Sequence, residues 1–162
     1  MLTIIQADLQ LPHHAHDLLF LLNTYACDPM GGGEPLSTYA QAHLIPALQQ
    51  RTNVRGILAY QDEQPAGFAI CIEGFSTFAC KPLLNIHDFA VHPDFRGLGI
   101  AKQMLIFISD YAQTQGYCKI TLEVLQGNAP AHALYVDQGF ASYELNPALG
   151  GAIMMQKKFA CM

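Results

Sequence analysis

Residues 92–105 read HPDFRGLGIAKQML and follow the apolar run PLLNIHDFAV. An arginine and two glycines where a strand turns into a helix suit a phosphate. They offer approachable backbone N–H groups, a positive helix terminus and a cationic side chain. Two familiar phosphate loops do not fit. GxxxxGK[ST] is absent, and in a GxGxxG fingerprint Lys102 stands where the third glycine belongs. The turn also falls mid-chain, after an antiparallel-looking hairpin. From these residues alone, a plain strand–turn–helix connection and some other phosphate ligand both stand.

Other chemistries have weaker support. His13, His14 and His16 sit at a helix start with no matching cysteine or carboxylate cluster, which reads as a solvated helix end and no metal site. Cys118 lies on a strand without a nearby histidine or asparagine signature, so a buried thiol is expected and not a nucleophile. GxSxG and HExxH are both absent.

Composition narrows the partners. Eight Lys and Arg against thirteen Asp and Glu give a net charge of −5. That argues against a nucleic-acid binder, which needs clustered cations, and is compatible with cationic small molecules. Cys27, Cys71, Cys80, Cys118 and Cys161 are scattered, odd in number and form no CxxC pair, so reduced thiols in a cytoplasmic protein are expected. No basic, then apolar, leader opens the chain, and no uncharged run approaches the roughly 20 apolar residues of a membrane span. At 162 residues the chain reads as a single domain, 1–162, which buries roughly 70% of its unfolded surface.

Hydropathy patterning supplies the elements. LTIIQAD reads as a strand and HHAHDLLFLLNTYACD as a helix, with Leu18, Leu21, Leu22 and Tyr25 at helical spacing. MGGGEP reads as a flexible loop, and LSTYAQAHLIPALQQ as a second helix, kinked or split at Pro46. VRGILAY and PAGFAICIE form a hairpin over QDEQ, and PLLNIHDFAV is a further strand. GLGIAKQMLIFISDYAQTQG is the strongest helix, closed by Gly116. CKITLEVL alternates as a strand, NAPAHALYVDQGF is a short helix capped by Asn128, and ASYELNP and GAIMMQKKF read as final strands. The order is β-α-α-β-β-β-α-β-α-β, an α/β (α+β) domain with a mixed sheet.

Arg96, Gly99 and Ala101 after that strand resemble the acetyl-CoA motif Arg/Gln-x-x-Gly-x-Gly/Ala of the GNAT superfamily of N-acetyltransferases. A second block, LEVLQGNAPAHALYVDQGF, is similar to the end of the superfamily core: Asn128, Leu134, Tyr135, Gly139 and Phe140 match in order and spacing. The likeness covers 2–159 in element order and 84–140 in motif detail. It implies a splayed central strand pair and acetyl-CoA as cosubstrate, with no metal. The cofactor would lie on Arg96, Gly97, Leu98, Gly99, Ile100, Ala101, Lys102 and Asn128, with the backbone of Phe89, Ala90 and Val91 along its arm.

The resemblance also implies roles. Acetyl transfer to an amine needs a proton acceptor, a donor to the oxyanion and a proton for the departing thiolate. Tyr135 falls on the superfamily's general-acid position. Glu123, twelve residues earlier, has the spacing of the base in ribosomal-protein N-terminal acetyltransferases. Glu73, His87 and Asp88 are rivals. The DPMGGGEPLS loop, with Glu34, falls in the region that borders the acceptor pocket and would gate it. The acceptor is an amine, on a small molecule or a protein; no nucleic acid or membrane is expected, and a homodimer fits. Alternatives are a non-catalytic acyl-CoA-binding module and a transferase of longer acyl groups.

Overall fold

The computed structural model describes residues 1–144 and 146–159. One sheet runs β1 (Leu2–Ala7), β2 (Val54–Gln61), β3 (Gln64–Ser76), β4 (Lys81–Val91), β5 (Ile120–Leu122), in that spatial order. The first four strands pair antiparallel and β5 joins β4 in parallel, so the sheet is mixed as expected. The helices are α1 (Pro12–Cys27), α2 (Thr38–Gln49), α3 (Ile100–Thr114) and α4 (Ala129–Asp137).

Strand alternation divides the core between the two sheet faces. On one face Leu58, Phe68 and Ile70 meet Leu18, Leu21 and Leu22 of α1. On the other, Ile57, Ala69, Cys71, Leu84 and Ile86 meet Ile100, Met104, Leu105 and Ile108 of α3. Those four α3 side chains are at most 2% exposed. At roughly 1.5–3 kcal/mol per large apolar side chain buried, they fix α3, and the turn that opens it, on the sheet. Helix α2 is capped by Ser37, whose Oγ accepts from the Ala40 amide at 3.1 Å. It buries no residue fully, and it runs unbroken through Pro46, where a kink or split was expected.

Two features of β4 prepare a site. Ile70 faces Asp88 across the β3–β4 ladder while Cys71 faces Ile86, which leaves His87 as an extra, bulged residue. Pairing of β4 with β5 ends at Ile86 and Leu122. Residues 88–91 of β4 continue with β3 alone as partner, so the sheet opens as a fork between β4 and β5.

Several expectations change. The strand expected over 118–125 is confined to Ile120–Leu122, because its partner diverges at the fork. The two final strands are absent among the described residues. One bridge, Glu144 with Gly151, replaces them, and Leu145 lies outside the description. Pro147 cannot donate to a ladder, Gly150 turns with φ +76°, and a three-residue β5 offers a short edge to template pairing. MGGGEP is a bonded turn and not a free loop: the Gly31 and Gly33 amides donate to the Asp28 carbonyl, and Glu34 donates to Ala26. A side chain at Gly31 would strike the Tyr25 carbonyl. Cys27, Cys71, Cys80 and Cys118 are free thiols, and Cys161 lies outside the described residues.

Candidate active site

The bulge at His87 sets what faces the fork. Leu84 and Ile86 point into the α3 face. A regular strand would send residue 88 the same way. The extra residue reverses the phase, so Phe89 and Val91 pack on the α3 side and Ala90 on the α1 side. Asp88 shares the α1 side with Ala90, where its charge acts on Tyr25 of α1. The backbone follows the same logic. His92 donates to Ala66 on β3 at 2.8 Å. Alternation therefore turns the amides of Phe89 and Val91 toward the open fork and that of Ala90 toward β3. Of the three expected backbone groups, Ala90 is spent within the sheet.

Beyond β4 the chain makes a short 3-10 turn, Pro93–Phe95, capped by the His92 ring, whose Nδ1 accepts from the Asp94 amide at 3.3 Å. Gly97 and Gly99 then take φ of +80° and +76°, which side chains resist. An added Cβ at either would meet nothing within 4 Å, so the turn faces open space. The Arg96 amide donates to Pro93, and the next internal bond is from Gln103 to Gly99. The amides from Gly97 to Lys102 have no acceptor among the described residues. They crown the N-terminus of α3, the partially positive end of its dipole. An anion with several oxygens fits this cradle.

The side chains at the turn are engaged elsewhere. Arg96 Nε donates to the Val91 carbonyl at 3.2 Å and a terminal nitrogen reaches Asp28 Oδ2 at 2.7 Å. Lys102 Nζ pairs with Asp137 of α4 at 2.8 Å. Asn128 spends its Oδ1 on the Ala131 amide as the cap of α4. Its place is to set the helix that carries Tyr135.

Tyr135 is 8% exposed. Its ring meets Phe89 and Phe140 edge-on, with centroids 6.3 and 5.9 Å away. It packs in the α3-side cluster, beside Phe89 of the open part of β4. Burial first, and Tyr25 second, raise its pKa above the ordinary tyrosine value. It is a protonated donor at neutral pH.

The four carboxylate and histidine candidates for the base separate. Glu123 is the first residue past the paired part of β5 and is exposed. His87, also exposed, and Asp88 lie across the fork from it. Asp88 is partly buried, and burial pushes its carboxyl pKa up while the neighbouring His87 opposes the rise. Glu73 lies elsewhere: it is opposite Leu84, on the paired side of the fork, and accepts from the Tyr117 hydroxyl at 2.5 Å. Tyr25 and Asp28 carried no sequence signal of their own, since both belong to an ordinary apolar helix and its end. A groove beside Met1, Thr3 and Tyr60 lies at the β1 edge and holds none of these groups. Among the described residues no cluster of metal-binding side chains forms, and no helix is long and apolar enough to cross a membrane.

Comparison with known proteins agrees with this geometry. Residues 19–140 match the model of the acetyltransferase (GNAT) family. A thialysine N-epsilon-acetyltransferase of Caenorhabditis elegans is 30% identical over 82 residues, 51% of each chain. Streptothricin acetyltransferase of Streptomyces lavendulae is 38% identical over 88 residues, 54% of this chain and 44% of that one. The chain thus matches about half the length of these curated relatives. Among solved structures, an aminoglycoside N-acetyltransferase in complex with CoA superposes with a TM-score of 0.71 at 17% identity, over 99% of this chain and 96% of that one. The fork, the glycine turn and Tyr135 all fall inside the matched span, and the chain belongs to the acetyltransferase (GNAT) family.

Proposed function

We propose that the protein is an N-acetyltransferase that moves the acetyl group of acetyl-CoA to a primary amine by direct attack within a ternary complex. The observation that carries the reading is the fork of β4 and β5, with the amides of Gly97–Lys102 at one end and the buried Tyr135 packed against Phe89 of its open arm. The free amides of the turn suit the pyrophosphate of CoA, and those of Phe89 and Val91 suit the pantetheine arm and the thioester oxygen. Tyr135, neutral and buried, suits proton donation to the departing thiolate.

The acceptor enters from the α1 side, past Tyr25. A primary amine is mostly protonated at neutral pH and must lose a proton before attack. We assign that proton to Asp88 ahead of Glu123. Asp88 is partly buried on the acceptor side and its pKa is raised toward the range in which a carboxylate takes protons well, whereas Glu123 is exposed. The amine nitrogen then bonds to the acetyl carbon, the carbon–sulfur bond breaks, the thiolate leaves as thiol with the Tyr135 proton, and the proton that the new amide nitrogen sheds restores the tyrosine. Related chains named for thialysine and streptothricin supply the first acceptors to try.

The test is CoA-thiol release from acetyl-CoA by purified protein against a lysine analogue, streptothricin and an aminoglycoside. Release that requires one amine, with product heavier by an acetyl group, supports the reading. Acetyl-CoA binding without release for any primary amine favours the non-catalytic binding module.

A further inference from the structure

We propose that Arg96 and Asp28 form a positioning clip that couples the glycine turn to the acceptor-side segment 28–34 after α1; this rests on the acetyl-CoA reading above. Arg96 looks from its motif like a ligand for phosphate. Its guanidinium instead bridges two parts of the protein that are 68 residues apart in sequence. Nε holds the Val91 carbonyl at the open end of β4 at 3.2 Å, and a terminal nitrogen holds Asp28 Oδ2 at 2.7 Å.

Asp28 organises everything that follows it. Its Oδ1 accepts from the Met30 amide at 2.9 Å, and its carbonyl accepts from Gly31 and Gly33 at 2.8 and 3.0 Å. The Tyr25 hydroxyl donates to the Met30 carbonyl at 3.3 Å, so the acceptor-side tyrosine is tied to the same turn. The Met30 amide and Arg96 together hold the Asp28 carboxyl below its ordinary pKa, which keeps it ionised at neutral pH. A second contact acts independently: Phe20 of α1 stacks on His92, centroids 5.7 Å apart, and His92 caps the 3-10 turn that leads to Arg96. Helix α1 is thereby attached to the donor side at two points.

A partly exposed ion pair adds little to stability, and the Arg96 side chain is 51% exposed. The pair therefore acts through geometry. Cofactor phosphates held by the backbone of the turn fix Arg96 and Val91, and through Asp28 they fix the segment that carries Met30 and borders Tyr25. Donor binding would ready the acceptor side.

Amide hydrogen exchange of segment 28–36, with and without CoA, tests the clip in the full chain. Wild type is expected to slow exchange there when CoA binds. Asp28→Asn keeps an acceptor for the Met30 amide but loses the charge. It is expected to bind CoA within about threefold of wild type by calorimetry, about 0.7 kcal/mol, yet to lose the exchange response. Asp28→Glu is expected to restore it. With an amine substrate in hand, Asp28→Asn should raise the amine KM and leave kcat near wild type. A response to CoA that survives in Asp28→Asn overturns the clip, as does a wild-type segment indifferent to bound CoA. A loss of CoA affinity of tenfold or more in Asp28→Asn would instead make Asp28 part of the donor site. Failure of wild type to bind CoA at all would overturn the acetyl-CoA reading along with the clip.

Discussion

In the proposed reaction two side chains, Tyr135 and Asp88, carry the proton transfers, and each gives a distinct expectation. Tyr135→Phe keeps the ring contacts with Phe89 and Phe140 and loses one proton. Turnover should fall by about a hundredfold, within the range of general acid catalysis, with acetyl-CoA affinity retained in calorimetry. Asp88 has a sharper signature. Burial raises its native pKa, so the folded state keeps this proton to higher pH than the unfolded chain. Stability contributed by this site falls as pH rises from the ordinary carboxylate value, near 3.9, through the raised native value. Asp88→Asn should therefore raise Tm at neutral pH, show no gain below the carboxylate range, and remove the acidic limb of the pH–rate profile. Glu123→Gln should leave that limb in place. A profile that moves with Glu123 and not with Asp88 would return the base to the residue the sequence spacing favoured. At Gly99, Ala tests backbone strain at φ +76° alone, and Glu adds a carboxylate to the anion cradle. Gly99→Ala should weaken CoA binding modestly, and Gly99→Glu should abolish it in the same titration.

At the scale of elements, what could be read from sequence was local and periodic. The helical spacing of α3, the Asn128 cap and the glycine turn at 96–101 are all set by neighbours a turn or less away. The bulge at His87 was not legible. NIHDFAV alternates well enough as a regular strand, and only the ladder with β3 shows that Asp88 and Ile86 point to opposite faces. The same slip decides which amides face the fork, and so why Ala90 drops out of the expected trio. The Asp28–Arg96 bridge was equally hidden, since nothing in a helix end at 28 names a partner at 96. Deleting His87 tests the element directly. It should remove the extra residue and restore a regular β3–β4 ladder, with Asp88 still on the α1 side and Phe89 on the α3 side, so the chain should fold and keep turnover. Turnover lost in a deletion variant that still folds would show that the site needs the bulged residue itself and not only the phase it sets.

Over the whole molecule, the two faces of the sheet have separate duties. The α3 face fixes the glycine turn through a deeply buried cluster, and the α1 face carries Tyr25, which the proposal places beside the acceptor. The fork is where the faces meet, and Tyr135 packs against Phe89 beside it. Net charge of −5 favours cationic acceptors without naming one. The apolar residues of 152–159 were assigned to a final strand from their pattern, and among the described residues they lie exposed, Ile153 at 81%, because β5 stops where the fork opens. Direct transfer requires donor and acceptor to be bound together, one from each face. Initial rates of thiol release with acetyl-CoA and a productive amine both varied test that requirement most directly. Reciprocal plots that intersect are the expected result, since neither product leaves before both substrates are bound. Parallel lines, with acetyl group retained on the protein after acetyl-CoA alone, would contradict direct attack and place the acetyl group on a nucleophile of the chain.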